Sequence, residues 1–231
     1  MSLAVPLAER VAFLIGQSPS VASSGHEAAS ASVQRAVEAA LDRGETHYAD
    51  RPGILPLRHA VAAYLARRFG IQSDPKTDII VTCGATEARF IAVQQIFKSG
   101  EAIYAPLMSD GLAGAAILRR MELVTESWAE IQGLYLTSSS PDAMLRSHID
   151  AAPSSTLIIY EVDEERNTFH PAQLTTCQQR TVTIGNLGAE SWRVGFLATP
   201  VFSSGLRDFK QALTICTTSL SQYAVLAEME T

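Results

Sequence analysis

One segment of the sequence joins residue types that can hold an anion. Asp78-Ile-Ile-Val-Thr82 is a short β-branched run, and Cys83-Gly-Ala-Thr-Glu87 follows it directly, ahead of a helical pattern. Gly84 permits a tight turn there. The amides of Ala85 and Thr86 can face outward at a helix N-terminus, and the Thr86 hydroxyl can bond the same anion. The same residues also read as a plain helix cap, with the Thr86 hydroxyl turned on its own helix. Cys83 stands where a helix N-terminus can lower a thiol pKa, yet no motif places a histidine beside it, so it reads as a buried structural cysteine. Asp163-Glu164-Glu165 can attract a cation, but reads as a solvated loop.

Amine chemistry has few candidates. The chain carries only Lys76, Lys98 and Lys210. Lys76 precedes the Asp78 strand, Lys98 ends the following helix and Lys210 falls in a late helix. All three read as solvated charges far from the Gly84 turn. No paired spacing joins His26, His47, His59, His148 or His170 to Cys83, Cys177 or Cys216 as zinc ligands, and the histidines read as surface or loop residues.

The elements that must position the turn alternate along the chain. Residues 28–41 form an amphipathic helix pattern, residues 46–56 a loop, and the next helix starts near Pro56 and ends near Phe69. Strands are expected at 78–82, 102–105, 123–126, 134–137, 156–160, 181–184 and 194–198. Helices are expected between them at 86–97, 111–121 and 141–151, and after them at 202–213 and 219–230. Such alternation predicts a three-layer α/β/α sandwich with a mainly parallel central sheet. In open sheets of this kind, ligands bind beyond the carboxyl ends of the strands, which is where the Gly84 turn lies. Residues 1–27 read as an N-terminal arm, and residues 28–231 as the domain that it lies on.

Composition narrows the function classes. The 231 residues are 47% hydrophobic and 18% charged, which excludes intrinsic disorder. A net charge of −6 offers no basic face to nucleic acid or to an anionic membrane. No apolar run is long enough to span a bilayer, and the first residues lack a secretion signal. Three widely spaced cysteines fit reduced thiols, so the expected location is cytoplasmic.

Taken in order, Tyr48, Gly53 with Leu57-Arg58, Thr82-Cys-Gly-Ala-Thr-Glu-Ala88 and Ser191-Trp-Arg-Val-Gly195 form a larger pattern. This set resembles the class I and II aminotransferases of the pyridoxal-phosphate fold type I superfamily, over roughly residues 8–229. The resemblance implies the large-domain fold of those transferases. It implies that Ala85 and Thr86 supply the amide and hydroxyl contacts to a cofactor phosphate and that Arg193 pairs with it. Tyr48 matches a tyrosine that reaches the phosphate of a neighbouring subunit, which implies a homodimer.

The same resemblance marks what is missing. The family's Schiff-base lysine lies seven residues before the tryptophan, and counting back from Trp192 gives Gly185, with Asn186 beside it. In the family's D-E-x-Y strand, one alignment places Tyr160 at the aspartate and Asp163 at the tyrosine; a shifted one uses Asp163-Glu164 and puts Arg166 at the tyrosine. Where a ring-stacking aromatic is expected, the chain offers Leu107, Met108 and Leu112. No counterpart of the asparagine loop lies between Thr137 and Phe169, and the C-terminal small domain is expected to be absent. These departures imply an aminotransferase-like protein that does not transaminate and has no catalytic residue, with no covalently bound cofactor. Pyridoxal phosphate, or another phosphate or small phosphorylated ligand, remains compatible with the turn. Two alternatives stay open: a pyridoxal-phosphate enzyme with an atypical site, and a non-catalytic partner subunit of a complete aminotransferase.

Overall fold

Each central strand is apolar on both faces, and each face meets its own layer of helices. The computed structural model describes residues 28–107, 109–125, 130–163, 168–189, 192–201 and 203–230. The expected arm at 1–27, Met108, Glu164, Glu165, Arg166 and Ser191 lie outside them. In chain order the elements are α1 (Ala31–Asp42), α2 (Leu55–Phe69), β1 (Ile79–Thr82), α3 (Gly84–Ile96), β2 (Ala102–Tyr104), α4 (Asp110–Arg119) and β3 (Glu122–Val124). There follow β4 (Gly133–Thr137), α5 (Asp142–Ala151), β5 (Leu157–Val162), β6 (Thr181–Leu187), β7 (Val194–Ala198), α6 (Ser203–Thr214) and α7 (Ser219–Met229).

The strands form one seven-stranded sheet in the order β1-β7-β6-β5-β4-β2-β3. Pairing is parallel except for β7, which runs antiparallel to both neighbours, β1 and β6. Side-chain alternation sends Ile79, Val81, Leu134, Leu136, Ile158 and Tyr160 to one face, where they pack with Leu57, Leu65 and Phe69 of α2 and Val225 of α7. Ile80, Tyr135, Ile159, Ile184 and Leu197 point to the other, against Ile91 and Val93 of α3, Leu112 of α4 and Leu206 of α6. Burial on both faces explains why these strands read as continuous apolar runs. The expected three-layer sandwich with a mainly parallel sheet is the observed fold.

Boundaries move where local chemistry decides them. Ser30 accepts the amide of Val33, so α1 begins after Ser30 rather than at residue 28. β5 extends to Val162 and β6 to Leu187 because backbone ladders continue there: Val162 pairs with Gly185, and Asn186 with Gly195. Gly185 and Asn186 are poor strand formers, so only the pairing reveals them as strand.

His170 departs from the sequence expectation of a surface or loop histidine. It precedes a short 3₁₀ turn, but is fully buried, with its ring against Tyr160 and Phe69. The amide of Ala172 donates to Nδ1, so the neutral ring must carry its proton on Nε2, which lies 3.0 Å from the Thr183 hydroxyl. Burial pushes its pKa down to about 3. The folded protein therefore keeps the ring neutral at pH values where the unfolded chain, with an ordinary histidine pKa, binds a proton. Stability contributed by this site is complete above about pH 6.5 and is lost as pH falls toward 3. Between pH 7 and pH 5 the loss is about 2 kcal/mol. Thermal unfolding at the two pH values should show this fall in the parent protein, and a His170→Gln variant should lack that share of it.

Candidate functional site

The strand arrangement creates a cavity at the carboxyl edge of the sheet. Because β7 is antiparallel to both β1 and β6, the ends of those two strands lie on the same edge, with Gly195 paired to Thr82 on one side and Asn186 on the other. A Cβ on Gly195 would lie 2.5 Å from the Gly84 carbonyl carbon and 2.8 Å from the Ala85 nitrogen. The missing side chain lets the first turn of α3 rest directly on β7. Gly84 itself has φ +73°, which turns the chain from strand into helix.

Cys83, Gly84, Thr86, Asn186 and Arg193 line a cavity of about 170 Å³. Thr86 and Arg193, two of the residues singled out from sequence, therefore meet. Thr86 is the third residue of α3, behind Cys83 at the cap position, and its exposed hydroxyl has no hydrogen bond to a described residue; it does not cap the helix. Arg193 is exposed, with φ +52°, and likewise has no hydrogen bond or ion pair within the described residues.

The Ala85 amide is already engaged. It donates to Asn186 Oδ1 at 2.7 Å. Of the two residues reached by counting back from Trp192, a side chain on Gly185 would strike the Phe196 ring at 2.8 Å and the Val162 carbonyl oxygen at 3.0 Å. Asn186 is the one that faces the cavity. Alternation along β6 was the signal that distinguishes them, and it becomes readable once the strand is known to extend to Leu187.

Tyr48 is not in this cavity. It is 80% exposed and lies with Thr46, His47 and residues 216–219 around a separate hollow. The Cys83 thiol is half-buried rather than buried, 3.9 Å from the Thr217 hydroxyl, and its pKa is raised by burial and then by the nearby Glu87 carboxylate. At neutral pH it is a thiol, which makes it a poor nucleophile.

Lys210 corrects a sequence expectation. It is neither solvated nor remote: 1% exposed, it reaches both carboxylate oxygens of Glu87 at 3.3 Å and the Thr214 hydroxyl at 3.0 Å. Glu87 Oε2 in turn accepts the Cys83 amide at 2.5 Å. The wide spacing of residues 87 and 210 hid this pair from sequence reading. Lys76 and Lys98 are exposed, as expected.

Further along the sheet edge, the expected ring contacts are otherwise occupied. Tyr160 is buried between Phe69 and His170 and donates to the Phe169 carbonyl at 3.0 Å. Asp163 is exposed but clamped rather than merely solvated, accepting from Ser138 Oγ at 2.8 Å and from the Ser139 amide at 2.9 Å. Glu161 points to the opposite face, where it pairs with Arg89 at 2.5 Å and accepts from Tyr135. Leu112 is fully buried in the core, and Leu107 is exposed.

The family model for aminotransferase class I and II matches residues 19–128. Over 227 residues the chain is 28% identical to the methionine aminotransferase of Escherichia coli, covering 81% of this chain and 58% of that protein. It is 28% identical to aromatic-amino-acid aminotransferase 2 of Thermococcus litoralis, over 80% of this chain and 57% of the relative. Among solved structures, YbdL from Escherichia coli, described as having a methionine aminotransferase function, superposes with a TM-score of 0.79 at 20% identity, covering 99% of this chain and 70% of that one. The aromatic aminotransferase of Pyrococcus horikoshii gives the same TM-score at 22% identity, covering 96% and 70%.

The chain is aminotransferase-like. Its sheet and helices share the fold of the large domain of the aminotransferases on which they superpose. This aminotransferase-like chain spans a little under three fifths of the length of these two curated relatives.

Pyridoxal phosphate fits one end of the site and not the other. Thr86, Arg193 and the first amides of α3 suit its phosphate. Where the resemblance expects the amine for an imine, the cavity has Asn186, and the position expected for the ring-nitrogen carboxylate is the buried Tyr160 in one alignment and, in the other, Asp163, which Ser138 and Ser139 clamp. Gly195→Ala should overpack the contact between α3 and β7 and lower stability by about 1–3 kcal/mol. Thr86→Val, at an exposed position, should change it by less than about 0.5 kcal/mol. Urea unfolding midpoints of the two variants test this contrast.

Proposed function

We propose that this chain is an aminotransferase-like protein that retains an anion pocket and does not carry out transamination. The observation that carries the reading is Asn186: it faces the cavity at the end of β6 and uses its side-chain oxygen on the Ala85 amide. A carboxamide nitrogen has no free lone pair comparable to an amine, so it forms no imine. In this reading Thr86 donates its hydroxyl to a phosphate oxygen, Arg193 supplies charge-assisted hydrogen bonds, and the free amides of the first turn of α3 complete the contact.

The positive φ of Arg193 supports a role in binding. Left-handed backbone at a non-glycine residue costs free energy and persists where surrounding contacts fix it. Here Trp192 is tied to Glu228 through its indole N–H at 2.8 Å, and Val194 begins β7. The backbone between them is held while the guanidinium stays available.

We read the protein as a cytoplasmic homodimer. The free cysteines accord with a reducing compartment, and the exposure of Tyr48, away from its own chain's cavity, accords with service to a neighbour. Among the described residues no helix is long and apolar enough to cross a membrane.

Calorimetric titration with inorganic phosphate tests the pocket. Binding should weaken at least tenfold in Arg193→Ala, the loss expected for a charge-assisted bond. Unchanged affinity would remove Arg193 from the site. Borohydride reduction after incubation with pyridoxal phosphate should label no single lysine stoichiometrically in the parent protein, whereas Asn186→Lys should gain a label at residue 186. Amino-group transfer to a keto acid by the parent protein would overturn the reading. Sedimentation as a monomer would remove Tyr48 from it.

A further inference from the structure

Glu87 is a problem for any anion pocket at this helix. It lies in the first turn of α3, where its own carboxylate takes the favourable interaction with the helix N-terminus that an external anion would use. Its Oε2 holds the amide of Cys83, a residue that lines the cavity. Unbalanced, that negative charge would repel a phosphate held by Thr86 and Arg193.

Lys210 removes the conflict. Its ammonium crosses from α6 and sits 3.3 Å from both Glu87 oxygens, while the Thr214 hydroxyl donates to Oε1 at 2.6 Å. Both charged side chains are almost wholly buried. A buried ion pair is commonly no more stabilising than a well-packed apolar pair of similar volume, so packing alone gives no reason for a lysine at this core-facing position of α6. Charge balance gives one. With Lys210 present the pair is formally neutral, and the field at the cavity mouth is left to the α3 amides and Arg193.

We propose that Lys210 sets the anion affinity of the cavity by neutralising Glu87 from behind the turn, acting as a positioning and charge-balancing residue that never touches the ligand. The inference rests on the anion-pocket reading above and names the regulation of that same site. It predicts that affinity follows the net charge of the pair, whichever partner is changed.

The test is a charge series in the full chain, with inorganic phosphate as the probe and calorimetry as the readout. Glu87→Gln leaves Lys210 positive and should tighten binding about tenfold, the scale set by one unit charge several ångströms away at a partly screened site. Glu87→Gln with Lys210→Met restores neutrality and should return affinity to within about threefold of the parent. Lys210→Met alone should weaken binding about tenfold; if the lone buried carboxylate prevents folding, the other two variants still decide the matter. Added salt should compress the spread of the series. A parent protein that binds no phosphate would overturn the anion-pocket reading, and this inference with it. A parent that binds phosphate while Glu87→Gln weakens it, or leaves it unchanged, would overturn the charge-balance role alone and leave the pair a structural one.

Discussion

Two backbone segments can touch at the carboxyl edge of the sheet only because Gly195 has no side chain. The first turn of α3 lies against β7 at distances that no Cβ on Gly195 would tolerate. Antiparallel β7 then acts as a spacer of one strand's width between the end of β1 and the end of β6. From this contact follow the reach of Asn186 to the Ala85 amide, the placing of Arg193 at the head of β7, and the small cavity that they share with Thr86. The site combines the ends of β1 and β6, the start of α3 and Arg193, which directly precedes β7.

The rest of the sheet edge is organised around filling space rather than holding a ring. Tyr160 is wholly engaged in the core, where its hydroxyl serves the Phe169 carbonyl, its ring packs between Phe69 and His170, and burial pushes its pKa well above the usual phenol range. His170 is locked as the neutral tautomer between Ala172 and Thr183. Asp163 ties the end of β5 to the serines that follow β4. Each of these polar groups has partners inside the protein, so little hydrogen-bonding capacity is left there to recognise a ligand. Thr86 and Arg193, by contrast, are exposed and without such partners among the described residues, which is why the proposed reading gives the anion to them.

Sequence patterns revealed the fold well because the strands are buried on both faces and the helices keep their apolar spacing. Runs such as Ile79-Ile80-Val81 and Leu157-Ile158-Ile159 need no tertiary information to be read as central strands. The Gly84 turn was legible for the same local reason. What sequence could not show were contacts across long separations. Lys210 looked like an ordinary helix charge because Glu87 is more than a hundred residues away, and His170 looked like a loop histidine because its burial depends on α2 and β6 closing over it. Asn186 fell beyond the expected end of β6, where only pairing with β7 fixes which of two neighbouring residues looks into the cavity.

In the proposed reading, Asn186 lets the turn be held from within the chain and still give way to an anion. A helix N-terminus resting on a strand needs acceptors for its first amides, and an asparagine oxygen provides one at 2.7 Å without bringing charge. A neutral acceptor competes weakly with a phosphate, which brings full negative charge to the same dipole and to Arg193 as well. Had an aspartate stood there, the amide would be held by a carboxylate and an incoming anion would meet repulsion in place of a displaceable bond. Had a lysine stood there, the amide would lack its acceptor, and the cavity would hold a cation able to react. Of these three side chains, the carboxamide alone gives the Ala85 amide an uncharged acceptor and offers no reactive amine, so in the proposed reading a single residue type underlies both the anion pocket and the absence of transamination.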